Sequence, residues 1–97
     1  MKKNEILKIL KELKPILQKQ YNIKELGLFG SYAKNQNNCK SDIDIIFDSD
    51  FKNFKPDFID ILKIKHILED KFHKKVDLVP KKGLKIKQFI QNEIIYV

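Results

Sequence analysis

Three aspartates and a glycine–serine pair are the residues of this chain best equipped for chemistry. Gly30-Ser31 is followed, after ten intervening residues, by Asp42-Ile43-Asp44, and Asp77 lies inside the later apolar run Lys75-Val76-Asp77-Leu78-Val79. Side chains at i and i+2 of a strand leave the same face, so Asp42 and Asp44 stand a few ångströms apart. Like charges that close repel, and a cation relieves the repulsion. Hard carboxylate oxygens beside a Gly-Ser turn suit Mg²⁺ holding a nucleoside triphosphate. The plain alternative is a set of solvated strand residues. Aspartate is depleted in strands, however, and all three acids fall in or at the edge of apolar runs.

The spacing resembles the signature of the DNA polymerase β-like nucleotidyltransferase superfamily: Gly-Ser, a spacer, then Asp-x-Asp. Within it the chain is similar to the minimal nucleotidyltransferase (MNT) proteins of prokaryotes. The resemblance runs through an N-terminal helix, Leu26-Gly27-Leu28-Phe29-Gly30-Ser31-Tyr32-Ala33, Ser41-Asp42-Ile43-Asp44, Val76-Asp77-Leu78-Val79 and the ending Glu93-Ile94-Ile95-Tyr96-Val97. It implies transfer of AMP from ATP, by in-line attack of a hydroxyl on the α-phosphorus with pyrophosphate leaving. Two Mg²⁺ ions, about 3.5–4 Å apart in sites of this kind, serve nucleophile and leaving group. Asp42 and Asp44 would bridge both ions. Asp77 would complete the catalytic one and accept the proton of the attacking hydroxyl.

The resemblance also assigns Gly30 and Ser31 to the triphosphate tail, where a glycine lets backbone approach phosphate and a hydroxyl donates to it. Lys34 is a candidate phosphate cation. MNT proteins commonly carry Arg at its position, often followed by Gly; here Asn35 follows. A biological setting is implied as well. MNT proteins commonly act as antitoxins to HEPN-domain ribonucleases, and adenylylation of a toxin tyrosine neutralises the toxin. This chain is not such a toxin, whose active-site motif needs Arg. Two alternatives belong beside this expectation. One is an antitoxin that works by binding and occlusion alone, which has no need of three converging acids. The other is a small-molecule transferase of the antibiotic-modifying kind, which usually carries an additional acceptor domain.

The elements that must position these residues are legible from periodicity. Residues 4–20 carry Ile6, Leu10, Leu13 and Leu17 at helical steps, widened by Leu7 and Ile16. Pro15 removes an N–H and crowds the carbonyl of Lys11, which predicts a kink or a restarted turn. Residues 24–29 and 42–48 read as strands, separated by a short turn from Ser31 to Lys34 and a polar loop. Asp48 continues the face of Asp42 and Asp44 and is expected to end the strand. Pro56 and Asp57 suit the start of a helix running to Phe72, with Phe58, Ile61, Leu62, Leu68 and Phe72 facing the core. Residues 75–79 form the third strand. A last amphipathic helix carries Ile86, Phe89 and Ile90, and residues 94–97 could add an edge strand.

A strand–helix–strand unit crosses over right-handed, so the second and third strands should be parallel neighbours, with Asp77 level with Asp42 and Asp44. The short connection between the first two strands favours antiparallel pairing. The expected fold is α/β (α+β): one nucleotidyltransferase domain over residues 1–97, a small mixed sheet with helices packed on one face.

Composition bounds what such a domain does. Twenty basic and thirteen acidic residues give a net charge of +7 over 97 residues. All twenty are lysine, and with fifteen Ile and seven Asn they match the codon bias of an AT-rich genome. The charge is therefore discounted as a sign of nucleic-acid binding. Without arginine, no side chain makes a bidentate fork to phosphate. A deep cleft in a domain this small needs a partner or a second copy to wall it off. Cys39 is the only cysteine, in a polar loop, so neither an internal disulfide nor a cysteine metal site forms. His66 and His73 are expected on a solvated helix surface, and Tyr32 in the packing. Lysines interrupt the N-terminal apolar residues, and no run reaches membrane-spanning length, so a cytoplasmic location is expected.

Overall fold

The computed structural model describes residues 1–49, 57–81 and 94–97. The chain begins with helix α1, Lys3–Tyr21, whose Ile6, Leu10, Leu13 and Leu17 are buried. The helix runs through Pro15 as one element. Pro15 and Lys11 both face solvent, so the unmade hydrogen bond falls on the wet side while Leu13 and Leu17 anchor the helix on either flank. Ile16 departs from expectation: it is 47% exposed and does not widen the stripe. Asn22 closes the helix in the left-handed region, donating its N–H to carbonyls of the last turn, a conformation asparagine tolerates.

Strand β1, Ile23–Phe29, leads into a single turn of helix, α2, Gly30–Ala33, and then into β2, Ile43–Ser49. Helix α3, Phe58–Phe72, is followed by β3, Val76–Pro80, and β4, Ile95–Tyr96. The four strands lie in the order β3-β2-β1-β4. β1 pairs antiparallel with both β2 and β4, while β2 and β3 are parallel. The sheet is thus mixed, and the α+β class expected from sequence is the one observed.

Leu26 and Leu28 of β1, with Ile43, Ile45 and Phe47 of β2, form one core with the buried residues of α1 and α3. Both long helices therefore cover the same sheet face. α3 starts at a reciprocal capping box: the Asp57 carboxylate accepts from the Asp60 N–H at 2.8 Å, and Asp60 accepts from the Asp57 N–H at 3.3 Å. Its buried residues are Ile64, Leu68 and Phe72. Phe58 and Leu62, expected inside, are 73% and 37% exposed. Apolar residues surround much of this helix, so its periodicity left the phase of the buried stripe ambiguous, and Ile64 takes the central place.

On the other face, Ile46 and Gly27 are buried, and Gly27 pairs with Tyr96 of β4. A Cβ on Gly27 would come within 2.8 Å of Ile94 Cγ2 and 3.1 Å of Tyr96 Cδ1. Lys14 Nζ donates to the Val97 carbonyl at 2.6 Å, tying α1 to the chain end. The expected helix around Ile86, Phe89 and Ile90, and the Pro56 connection, lie outside the described residues. Among the described residues, no helix is long and apolar enough to cross a membrane.

Candidate active site

Gly30 ends β1 with φ +76°, a conformation that L side chains avoid. A Cβ there would collide with Oδ2 of Asp44 and lie 2.9 Å from its Cγ. Cross-strand pairing of Phe29 with Asp44 brings the two together. The Gly-Ser turn and the Asp-x-Asp pair, separate in sequence, are therefore one packed unit.

Asp42 is exposed just ahead of β2, and Asp44 is half-buried inside it. Parallel pairing places Asp77 of β3 directly beside Asp44, so the two share a face, and Asp42, two residues earlier, shares it too. The carboxyl of Asp44 is raised from 3.8 to about 6. Burial is the largest cause, followed by the charges of Asp77 and then Asp42. The charges of both neighbouring acids thus reach Asp44.

Their side chains do not form a finished ligand cage. Among the described residues, no group of three or more His, Cys, Asp or Glu stands in metal-holding geometry. Asp42 and Asp77 are exposed, and an exposed carboxylate changes rotamer easily, whereas the backbone register that brings it to this face is built in. The donor set itself, hard oxygens under mutual repulsion, fits a divalent cation.

Two side-chain contacts, one across a turn and one over 35 residues, hold the strand ends. The Glu69 carboxylate of α3 accepts from the Val76 N–H at 3.0 Å, and Lys74 Nζ donates to the Cys39 carbonyl at 2.9 Å. The Ile43 N–H donates to the Lys75 carbonyl at 3.1 Å. The start of β3 is thereby clamped between helix, loop and β2, one residue before Asp77. Sequence inspection offered no signal for Glu69 or Lys74, because each acts across a turn or over a distance of 35 residues.

Ser31 is half-buried within α2, and Lys34 caps it with an exposed side chain; the Lys34 N–H donates to the Gly30 carbonyl at 3.2 Å. Tyr32 is 3% exposed and belongs to the core. His66, His73 and Cys39 are exposed. Asp48 does not end β2, which continues to Ser49. It is buried on the face of Asp44, but at the opposite end of the strand, and its Oδ1 has no hydrogen-bond partner among the described residues. Its cross-strand neighbour Glu25 pairs instead with Lys81 at 2.6 Å.

The profile of the Nucleotidyltransferase domain family matches residues 4–97. The chain belongs to this family. A relative from Methanocaldococcus jannaschii, provisionally named a protein adenylyltransferase, is 39% identical over 97% of this chain and 96% of its own length. The protein adenylyltransferase MntA of Thermococcus cleftensis is 34% identical over 96% of this chain and 93% of its own. Among solved structures, a chain of a toxin–antitoxin complex crystallised with AMP-PNP superposes with a TM-score of 0.70 at 22% identity, covering 99% of this chain and 72% of that one. A chain from the complex of a tri-AMPylated Shewanella oneidensis HEPN toxin with its MNT antitoxin gives a TM-score of 0.59 at 23% identity, covering 97% and 66%. At these identities the structural likeness establishes the nucleotidyltransferase fold. As a member of the family, the chain is a nucleotidyltransferase enzyme.

Proposed function

We propose that this nucleotidyltransferase is an antitoxin that transfers AMP from ATP to a tyrosine hydroxyl of a HEPN ribonuclease toxin. The observation that carries this reading is the register of Asp44 beside Asp77, with Gly30 packed against the Asp44 carboxylate. Relatives named as protein adenylyltransferases over nearly their full length support a protein acceptor. The shared fold with chains of toxin–antitoxin complexes supports a HEPN partner.

Asp42, Asp44 and Asp77 would hold two Mg²⁺ ions. Bound Mg²⁺ supplies charge to the triphosphate oxygens and to the departing pyrophosphate. The chain's own residues do the rest. Gly30 brings backbone close to the triphosphate tail, Ser31 donates to it, and Lys34 adds a positive charge nearby. Asp77 accepts the proton of the attacking hydroxyl. The hydroxyl oxygen forms its bond to the α-phosphorus as the bond from that phosphorus to the bridging oxygen breaks, and pyrophosphate leaves. With no arginine available, phosphate contacts rest on lysine, backbone and metal.

The test is mass spectrometry of the cognate HEPN toxin, after incubation with this chain, ATP and Mg²⁺. The expected result is an added AMP on a toxin tyrosine, absent with Asp42→Ala or Asp44→Ala. A toxin that stays unmodified yet is neutralised equally by the Asp44→Ala protein counts against catalysis and in favour of occlusion. Rapid transfer to a free small molecule, with the toxin untouched, points to the antibiotic-type enzyme.

A further inference from the structure

Two adjoining cavities open between the start of α1 and the loop that follows α2. One, of about 420 Å³, is lined by Lys2, Lys3, Asn4, Asn35 and Asn37. The second, of about 560 Å³, continues from Asn37 past Asn38 to His73 and Lys74. Neither wall contains an acidic residue. The groove they form is positively charged and rich in side-chain amides, which both donate and accept hydrogen bonds.

The loop on one side of this groove is shaped by its own contacts. The Asn38 N–H donates to Ser41 Oγ at 2.9 Å, and the Lys40 N–H to Asn38 Oδ1 at 2.8 Å. The contact of Lys74 with the Cys39 carbonyl fixes it to the approach of β3. Ser41 leads directly into Asp42, and Lys74 lies three residues before Asp77. At about 3.3 Å per residue of extended chain, the Lys74 end of the groove is within about 10 Å of Asp77.

We propose that this groove docks an acidic polypeptide segment of the protein that presents the acceptor hydroxyl. The proposal rests on the protein-acceptor reading above and adds how that protein is recognised. Charge complementarity selects an anionic occupant, and the asparagine amides match the donor and acceptor pattern of a peptide backbone. A single-stranded nucleic acid fits less well. Such ligands stack bases on aromatic rings, and the aromatic residues of the groove, Tyr32 and Phe72, are each only 3% exposed. Guanidinium forks for phosphate are also missing from the chain.

The test measures fluorescence anisotropy of a labelled peptide of alternating Glu and Ser, titrated with the full chain. Lys2→Glu with Lys3→Glu should weaken binding about tenfold or more. Acids in the first turn of a helix favour its dipole, so the variant should keep its fold, which circular dichroism checks. The charge-matched control, Lys8→Glu with Lys11→Glu, alters exposed residues elsewhere on α1 and should leave binding within about twofold. Asp44→Asn should bind the peptide normally while losing transfer, so failure of the groove and failure of the transfer reading register in different assays. With the acceptor protein itself, the Lys2/Lys3 variant should raise KM and leave kcat unchanged. Equal loss in the control pair, no binding of the peptide, or preferential binding of a single-stranded oligonucleotide of equal charge would overturn the proposal.

Discussion

Gly30 lies so close to the Asp44 carboxylate that a side chain at position 30 has nowhere to go. A Cβ would meet Asp44 Oδ2, Cγ and Cβ together, and the backbone already sits at φ +76°. Steric exclusion and backbone conformation independently demand glycine. The contact also restricts the carboxylate, pressing it against the turn that carries Ser31.

Gly30→Ala should therefore cost about 1–3 kcal/mol through backbone strain alone. The displaced Asp44 carboxylate adds a loss of transfer activity that stability does not explain. Thermal denaturation, together with AMP transfer well below the midpoint, separates the two effects. A variant with wild-type transfer at its own working temperature would remove the Gly30–Asp44 contact from the mechanism.

How much of this arrangement was legible in the sequence depends on the range of the contact. Ile6, Leu10, Leu13 and Leu17 declare α1 because their spacing is local. Alternation around Ile43 and Ile45 places Asp42 and Asp44 on one face, and the handedness of the crossover predicts Asp77 beside Asp44. The clash of Gly30 with Asp44 depends on antiparallel register, which no local pattern contains. The phase of α3 was similarly hidden: Phe58, Ile59 and Leu62 are exposed while Ile64 is buried, because only the direction of approach to the sheet decides among so many apolar positions. Asp48 repeats the period of Asp42 and Asp44, yet belongs to the opposite end of β2.

The raised Asp44 carboxyl predicts a pH-dependent stability difference between the wild type and Asp44→Asn. Its ordinary value is 3.8 and its folded value about 6. Between these, the native chain holds a proton that the unfolded chain has lost. Its contribution is therefore fully present below about pH 4 and lost as pH rises through about 6. Asparagine abolishes this slope. In urea denaturation, Asp44→Asn should gain about 1 kcal/mol on the wild type between pH 4 and pH 7, after discounting for the partly exposed carboxyl. A constant difference across that window would mean that Asp44 does not titrate as its surroundings imply.

Magnesium should reverse that penalty. A cation shared by Asp42, Asp44 and Asp77 favours their ionised forms and competes with protons. Added Mg²⁺ should raise the midpoint of the wild type at pH 7, with a smaller shift below pH 6. A ligand that binds only the native state stabilises by mass action, so the shift should grow with concentration. Asp44→Asn should respond little. The same Mg²⁺ shift in both proteins would place the binding elsewhere on the surface.

Glu69 offers the test of how Asp77 is positioned. Among the described residues, β3 is an edge strand paired with β2 alone, so the Val76 N–H bond to Glu69 at 3.0 Å supports its outer side. Val76 is 2% exposed, and its N–H would be poorly hydrated without that acceptor. Glu69→Ala leaves the donor unpaired, a loss of about 1–3 kcal/mol, and frees the strand just before Asp77. Transfer should fall further than the stability loss accounts for, because an acid that must meet Asp44 across two strands depends on the register of β3. Glu69→Gln keeps an amide oxygen at the same reach and should restore most of both properties. Hydrogen exchange supplies the structural readout: the Val76 amide should exchange faster in the alanine variant and near the wild-type rate in the glutamine variant. Full transfer in Glu69→Ala, despite rapid exchange at Val76, would show that Asp77 holds its place without the Glu69 contact.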